Sequence, residues 1–121
     1  MIRRLFIANR GEIAVRVLRT ARRLGITTIA GVSAADRHSL VAKLADEVAL
    51  IGPAPSTESY LNVAAVTAAA VAAKADAVHP GYGFLSENAG FAKALADAGI
   101  TFVGPSLDSL AAMGDKLRAR A

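Results

Sequence analysis

The chain has 121 residues, 54% hydrophobic and 20% charged, with a formal net charge of +4. That length suits one domain with its own core, and that hydrophobic share excludes intrinsic disorder. With no cysteine, no tryptophan, four Phe and two Tyr, a disulfide scaffold, a cysteine-ligated metal, a thiol nucleophile and an aromatic platform for single-stranded nucleic acid are all set aside.

The charge is uneven. Residues 1–24 hold seven Arg and one Glu, residues 25–115 carry a net −5, and residues 116–121 add +3. A pI near 10.0 therefore reflects the two ends, not a basic body. No nucleic-acid partner is expected, since binding needs a basic face and a reading element. The longest weakly polar run, Leu61 to Ala73, has 13 residues, short of the roughly 20 of a membrane span. The first apolar run stops at Asn9-Arg10-Gly11-Glu12, too early for a signal peptide. A cytoplasmic protein without membrane contact is expected.

Strands and helices alternate along the chain. Arg4 to Ala8 suits a buried parallel strand. Asn9, three residues before Glu12, predicts an N-cap and capping box. Ile13, Val17, Leu18, Ala21 and Leu24 then recur with helical spacing until Gly25. Thr27 to Val32 is a second strand, Ser33 to Asp36 turns into a short helix with Leu40, Val41 and Leu44, and Glu47 to Ile51 is a third strand. After the loop Gly52 to Pro55, Ser56 or Ser59 is expected to cap an Ala-rich helix ending near Lys74. Ala75 to His79 is a fourth strand, Pro80 to Ser86 a glycine-rich loop, and Glu87 to Ala98 a helix closed by Gly99. Ile100 to Val103 is a fifth strand, and Ser106 is expected to cap a last helix from Leu107 to about Met113. This order predicts a Rossmann-like α/β fold, a parallel sheet of about five strands with helices on both faces.

Ligands of such sheets bind beyond the carboxyl ends of the strands. The loops there are Asn9 to Glu12, His79 to Asn88, and Gly104 to Ser106. A dinucleotide site is disfavoured: the first turn has only Gly11 and lacks G-x-G-x-x-G, and no P-loop pattern occurs. Asp36 is then a cap or turn residue rather than a ribose ligand. The densest feature is His79-Pro80-Gly81-Tyr82-Gly83-Phe84-Leu85-Ser86-Glu87-Asn88. Its glycines let the backbone approach a ligand while an aromatic is held in place; a tight crossover, with Ser86 or Asn88 capping the next helix, is the plainer alternative. His79 suits a hydrogen-bonded structural role or a chemical one, and Glu87 a helix-start carboxylate or a general base. Arg16, Arg19 and Arg23 form a stripe on the first helix, either a solvated face or an interface with acidic groups. Lys116 is a surface lysine or a phosphate ligand.

Four stretches together carry a family resemblance: Ile7 to Ala14; Ile51 to Ser56 with Ser59 to Asn62; His79 to Asn88; and Phe102 to Ser106 with Met113-Gly114-Asp115-Lys116. In this order and spacing the chain closely resembles the N-terminal, pre-ATP-grasp domain of biotin carboxylase. That is the biotin-carboxylating part of acetyl-CoA, propionyl-CoA, methylcrotonyl-CoA, pyruvate and urea carboxylases. The resemblance implies an enzyme that uses MgATP and bicarbonate to carboxylate biotin on a biotin carboxyl carrier protein, with a carboxyltransferase as a further partner. It implies that Lys116 contacts ATP and that His79, Gly81, Tyr82, Gly83 and Glu87 lie on the biotin and bicarbonate side. It also implies that Arg16 and Arg19 contribute to a homodimer interface. Residues 1–113 would form the domain, and 114–121 the start of a hinge to an ATP-grasp domain outside this sequence. No complete catalytic set, no metal site and no bound cofactor are expected in these residues alone, which should therefore be inactive. Two features depart from the family: Arg23 stands where many relatives have an acidic residue, and Gly31-Val32 replaces a bulkier pair. The alternatives are the corresponding domain of a carbamoyl-phosphate synthase-like ligase and a non-catalytic dimerisation module.

Overall fold

The computed structural model describes residues 2–104. The helix expected over 107–113, its Ser106 cap, Lys116 and the hinge over 114–121 lie outside the described residues.

The strands are β1 (Arg4–Ile7), β2 (Thr27–Ser33), β3 (Glu47–Gly52), β4 (Ala77–His79) and β5 (Thr101–Phe102). All pairings are parallel and the order across the sheet is β3-β2-β1-β4-β5. The central strand β1 is apolar on both sides because helices cover both faces. Leu5 and Ile7, with Ala30, Val32 and Ala77, pack under α1 (Gly11–Arg23) and α2 (Leu40–Leu44). Phe6 and Ala8, with Ile29 and Val78, pack under α3 (Val63–Ala72) and α4 (Ala89–Asp97). The period-2 alternation of each strand thus builds two cores. Ala14, Val17, Leu18 and Ala21 form the buried stripe of α1.

The expected fold class and strand number stand, but three helix starts differ. The residue before α1 is Arg10, which gives no side-chain cap; Asn9 lies one residue earlier and its amide is engaged elsewhere. Residues 56–58 form a short 3-10 turn, and Asn62, not Ser56 or Ser59, caps α3 by accepting from the Ala65 N–H at 3.0 Å. Helix α4 starts at Ala89, not Glu87, and Asn88 caps it by accepting from the Phe91 N–H at 2.8 Å. An N-cap oxygen must reach the N–H three residues on, and in both helices an asparagine occupies that position.

The amino edge of the sheet is closed by carboxylates. Asp76 accepts from the Arg3 and Arg4 N–H groups at 3.0 and 3.2 Å, and Asp46 from the Thr28 N–H at 2.8 Å. Arg4 makes a two-pronged ion pair with Glu47 at 2.7 and 2.8 Å. The carboxyl edge is left for a site.

Gly31, one of the departures noted in the sequence, has a packing reason. A Cβ at this position would overlap the Phe6 ring, which lies across the β2 backbone. Phe6 is fully buried, so its ring can yield only by displacing its own core neighbours. Gly31→Ala is expected to destabilise the chain by about 1–3 kcal/mol, the usual cost of overpacking. Urea unfolding should show a lower midpoint at unchanged m-value.

Candidate functional site

In this strand order the connections leave β1 and β4 in opposite directions along the sheet, which opens a crevice between their carboxyl ends. The register puts Ile7 beside His79. Asn9 therefore emerges next to the loop that begins at Pro80.

Asn9 is 3% exposed. Its Nδ2 donates to the carbonyls of Pro80 and Tyr82, both at 2.7 Å, and its Oδ1 accepts from the Arg10 N–H at 2.8 Å. The two carbonyls decide which way the amide faces. Gly81 lies directly over this amide, at φ +66°, and a Cβ there would come within 2.7 Å of Asn9 Nδ2. Both the backbone conformation and the space therefore require glycine. Gly83, at φ +68°, would place a Cβ in open space, so its glycine serves the turn alone.

His79 is fully buried and its Nδ1 accepts from the Gly81 N–H at 3.0 Å. The geometry thus assigns the neutral imidazole its proton at Nε2. Tyr82 is 55% exposed, with its backbone held and its ring turned to solvent. Glu87 is exposed, ahead of the Asn88 cap, and makes no hydrogen bond among the described residues. The structure thus brings His79, Gly81, Tyr82 and Gly83 together with Asn9, and leaves Glu87 at the rim.

A second cluster lies along the same edge. Asp36, foreseen as a cap or turn residue, ends the 3-10 turn Ala34–Asp36, and its side chain is also a hub. Arg10 Nε and Nη2 donate to its two oxygens at 2.9 and 3.1 Å. Tyr60 Oη donates at 2.7 Å and Ser33 Oγ at 3.2 Å. The Asp36 side chain is 11% exposed while that of Arg10 is 54% exposed. Arg10 foremost, then the hydroxyls of Tyr60 and Ser33, holds the Asp36 carboxyl below its ordinary value, against an opposing push from burial. Burial, chiefly, pushes the Tyr60 phenol up to about 12. Sequence reasoning missed Tyr60 as a site residue; its signal was its place in the Ser59-Tyr60-Leu61-Asn62 motif.

Arg16 and Arg19 are not part of this edge. They are exposed further along the outer face of α1, lining a shallow hollow with Thr20, Arg22 and Arg23. Arg22 donates to the Leu44 carbonyl and Arg23 to Thr20 Oγ1 at 3.2 Å. Arg16 and Arg19 make no side-chain bond among the described residues. Among the described residues no helix is long and apolar enough to cross a membrane.

A carboxylate whose folded pKa is depressed adds stability above its unfolded value, here 3.8, and loses it as pH falls through the folded value. The chain should therefore lose stability below about pH 4, and Asp36→Asn should flatten part of that loss. At pH 7 the same substitution is expected to cost about 1.5–3 kcal/mol, the range for hydrogen bonds to a charged group. Urea titrations at pH 7 and pH 3 check both.

Residues 1–110 match the family model described as biotin carboxylase, N-terminal domain. Biotin carboxylase of Haemophilus influenzae is 56% identical over 119 residues, covering 98% of this chain and 27% of that protein. The propionyl-CoA carboxylase alpha chain of Ruegeria pomeroyi is 52% identical over 120 residues, covering 99% of this chain and 18% of that protein. The crystal structure of a biotin carboxylase–β,γ-ATP complex from Campylobacter jejuni superimposes with a TM-score of 0.82 at 51% identity, over 88% of this chain and 24% of that one. The chain thus spans about a quarter of the length of the biotin carboxylases it matches. With its five-stranded parallel sheet and its motifs in order, the chain belongs to the family of biotin carboxylase N-terminal domains.

Proposed function

We propose that this chain is the N-terminal domain of an enzyme that uses MgATP and bicarbonate to carboxylate carrier-bound biotin, the first half-reaction of acyl-CoA carboxylases. The observation that carries the proposal is the His79–Asn88 loop, seated at the crevice between β1 and β4 with Tyr82 exposed. The Tyr82 ring offers a flat face to the ureido ring of biotin, and the open space beside Gly83 leaves room for it. His79 and Gly81 shape the loop, and Glu87 stands at its rim as a charged group toward the bicarbonate side. Lys116, outside the described residues, is assigned to ATP phosphate oxygens. The domain is taken to end near residue 113, with 114–121 leading into an ATP-grasp domain. Partners are the biotin carboxyl carrier protein and a carboxyltransferase, in the cytoplasm. The Ruegeria pomeroyi relative is by its name one chain of such an assembly, which supports this reading.

The exposed pair Arg16 and Arg19 is proposed as a homodimer contact. Arg suits this role because its planar fork binds carboxylates in two-pronged fashion.

Two measurements test these proposals. Alone, the 121-residue chain should release no phosphate above background from MgATP, bicarbonate and free biotin. A hybrid of the Haemophilus influenzae enzyme, with this chain in place of the 119 residues it matches, should show biotin-dependent phosphate release. Turnover by the isolated chain, or a folded but inactive hybrid, counts against the assignment. In sedimentation, an Arg16→Glu, Arg19→Glu hybrid should shift from dimer toward monomer; an unchanged dimer removes the interface proposal.

A further inference from the structure

The Pro80–Phe84 loop is tied down on both sides of Tyr82. On one side Asn9 holds the Pro80 and Tyr82 carbonyls. On the other, Phe84 stands at φ +42°, which L side chains rarely adopt. Its ring is stacked on Tyr60, with centroids 5.0 Å apart and an interplanar angle of 21°. Tyr60 is in turn fixed by its hydroxyl, which donates to Asp36 and accepts from the Ser33 N–H at 3.2 Å. Asp36 is held by Arg10, and the Arg10 N–H returns to Asn9 Oδ1. The contacts therefore close on themselves: Asn9, the loop, Phe84, Tyr60, Asp36, Arg10 and Asn9 again. The ring joins the chain segments that follow β1, β2, β3 and β4 at one edge of the sheet.

We propose that Asn9, Asp36 and Tyr60 are positioning residues for Tyr82, and that this closed ring presents the Tyr82 side chain preformed to biotin. The proposal deepens the biotin carboxylase assignment above and rests on it. All three residues are buried, so they act through the loop and do not touch the ligand. A loop already held loses little conformational freedom on binding, which is how preorganisation raises affinity. The strained Phe84 backbone fits the same role, since such conformations persist only where their surroundings over-determine them.

Two variants separate this role from bulk stability. Asn9→Asp keeps the shape but sets an oxygen against two carbonyl oxygens. Tyr60→Phe keeps the stacking ring and removes only the hydroxyl. In the 121-residue chain, amide hydrogen exchange at Gly81 should accelerate about tenfold or more in Asn9→Asp and several-fold in Tyr60→Phe, with β1 and β2 amides changing less. Equal acceleration everywhere, or none at Gly81, overturns the proposal. In the hybrid enzyme, Tyr60→Phe should raise KM for biotin about fivefold or more while KM for ATP stays put. An unchanged biotin KM in an active hybrid also overturns it. A hybrid inactive with the unsubstituted chain speaks against the biotin carboxylase assignment instead, and the exchange measurement still decides the ring.

Discussion

Strand β1 pairs with β2 on one side and with β4 on the other, and the chain leaves β1 and β4 toward opposite flanks of the sheet. This central position demands apolar side chains on both faces, met by Leu5 and Ile7 against one pair of helices and Phe6 and Ala8 against the other. It also forces a gap at the carboxyl edge, because no crossover covers the point where the winding reverses. Asn9 stands over that gap. Its amide replaces the sheet hydrogen bonds that end at Ala8, whose N–H still reaches the His79 carbonyl at 3.0 Å.

The polar groups of the molecule are divided between the two edges. At the amino edge Asp46 and Asp76 accept from strand-entry N–H groups, and Arg4 joins Glu47. The two aspartates satisfy backbone donors that the sheet leaves unpaired. At the carboxyl edge the Asp36 carboxylate, among the described residues, accepts from side chains: Arg10, Tyr60 and Ser33. A carboxylate this enclosed is tolerated because its partners surround it and one of them is a guanidinium. The difference in partners reflects the difference in task. The amino edge closes the sheet, whereas the carboxyl edge fixes loops against one another and leaves Tyr82 outward.

Much of the fold was legible because its signals are local. Apolar runs such as Leu5 to Ile7 mark strands, and the spacing of Ile13, Val17, Leu18, Ala21 and Leu24 marks a helix wherever they are packed. The helix caps were less legible, since Ser56, Ser59, Asn62 and Asn88 are all good caps and the choice depends on where the chain turns. Asn9 was misjudged for a physical reason: the N-cap position of α1 falls one residue later, at Arg10, so Asn9 Oδ1 accepts from the Arg10 N–H while its Nδ2 donates to two carbonyls about seventy residues away.

The alternation of elements, the parallel α/β class and, through the motifs, the family are readable along the chain. Those properties depend on residue type and spacing. The strand order, the room Gly31 leaves for Phe6, and the ring from Asn9 through Phe84, Tyr60 and Asp36 to Arg10 emerge with folding alone. Each of these is a contact between residues far apart in sequence. Whether such contacts form depends on which strand ends the packed sheet brings to one edge, and no local pattern carries that information.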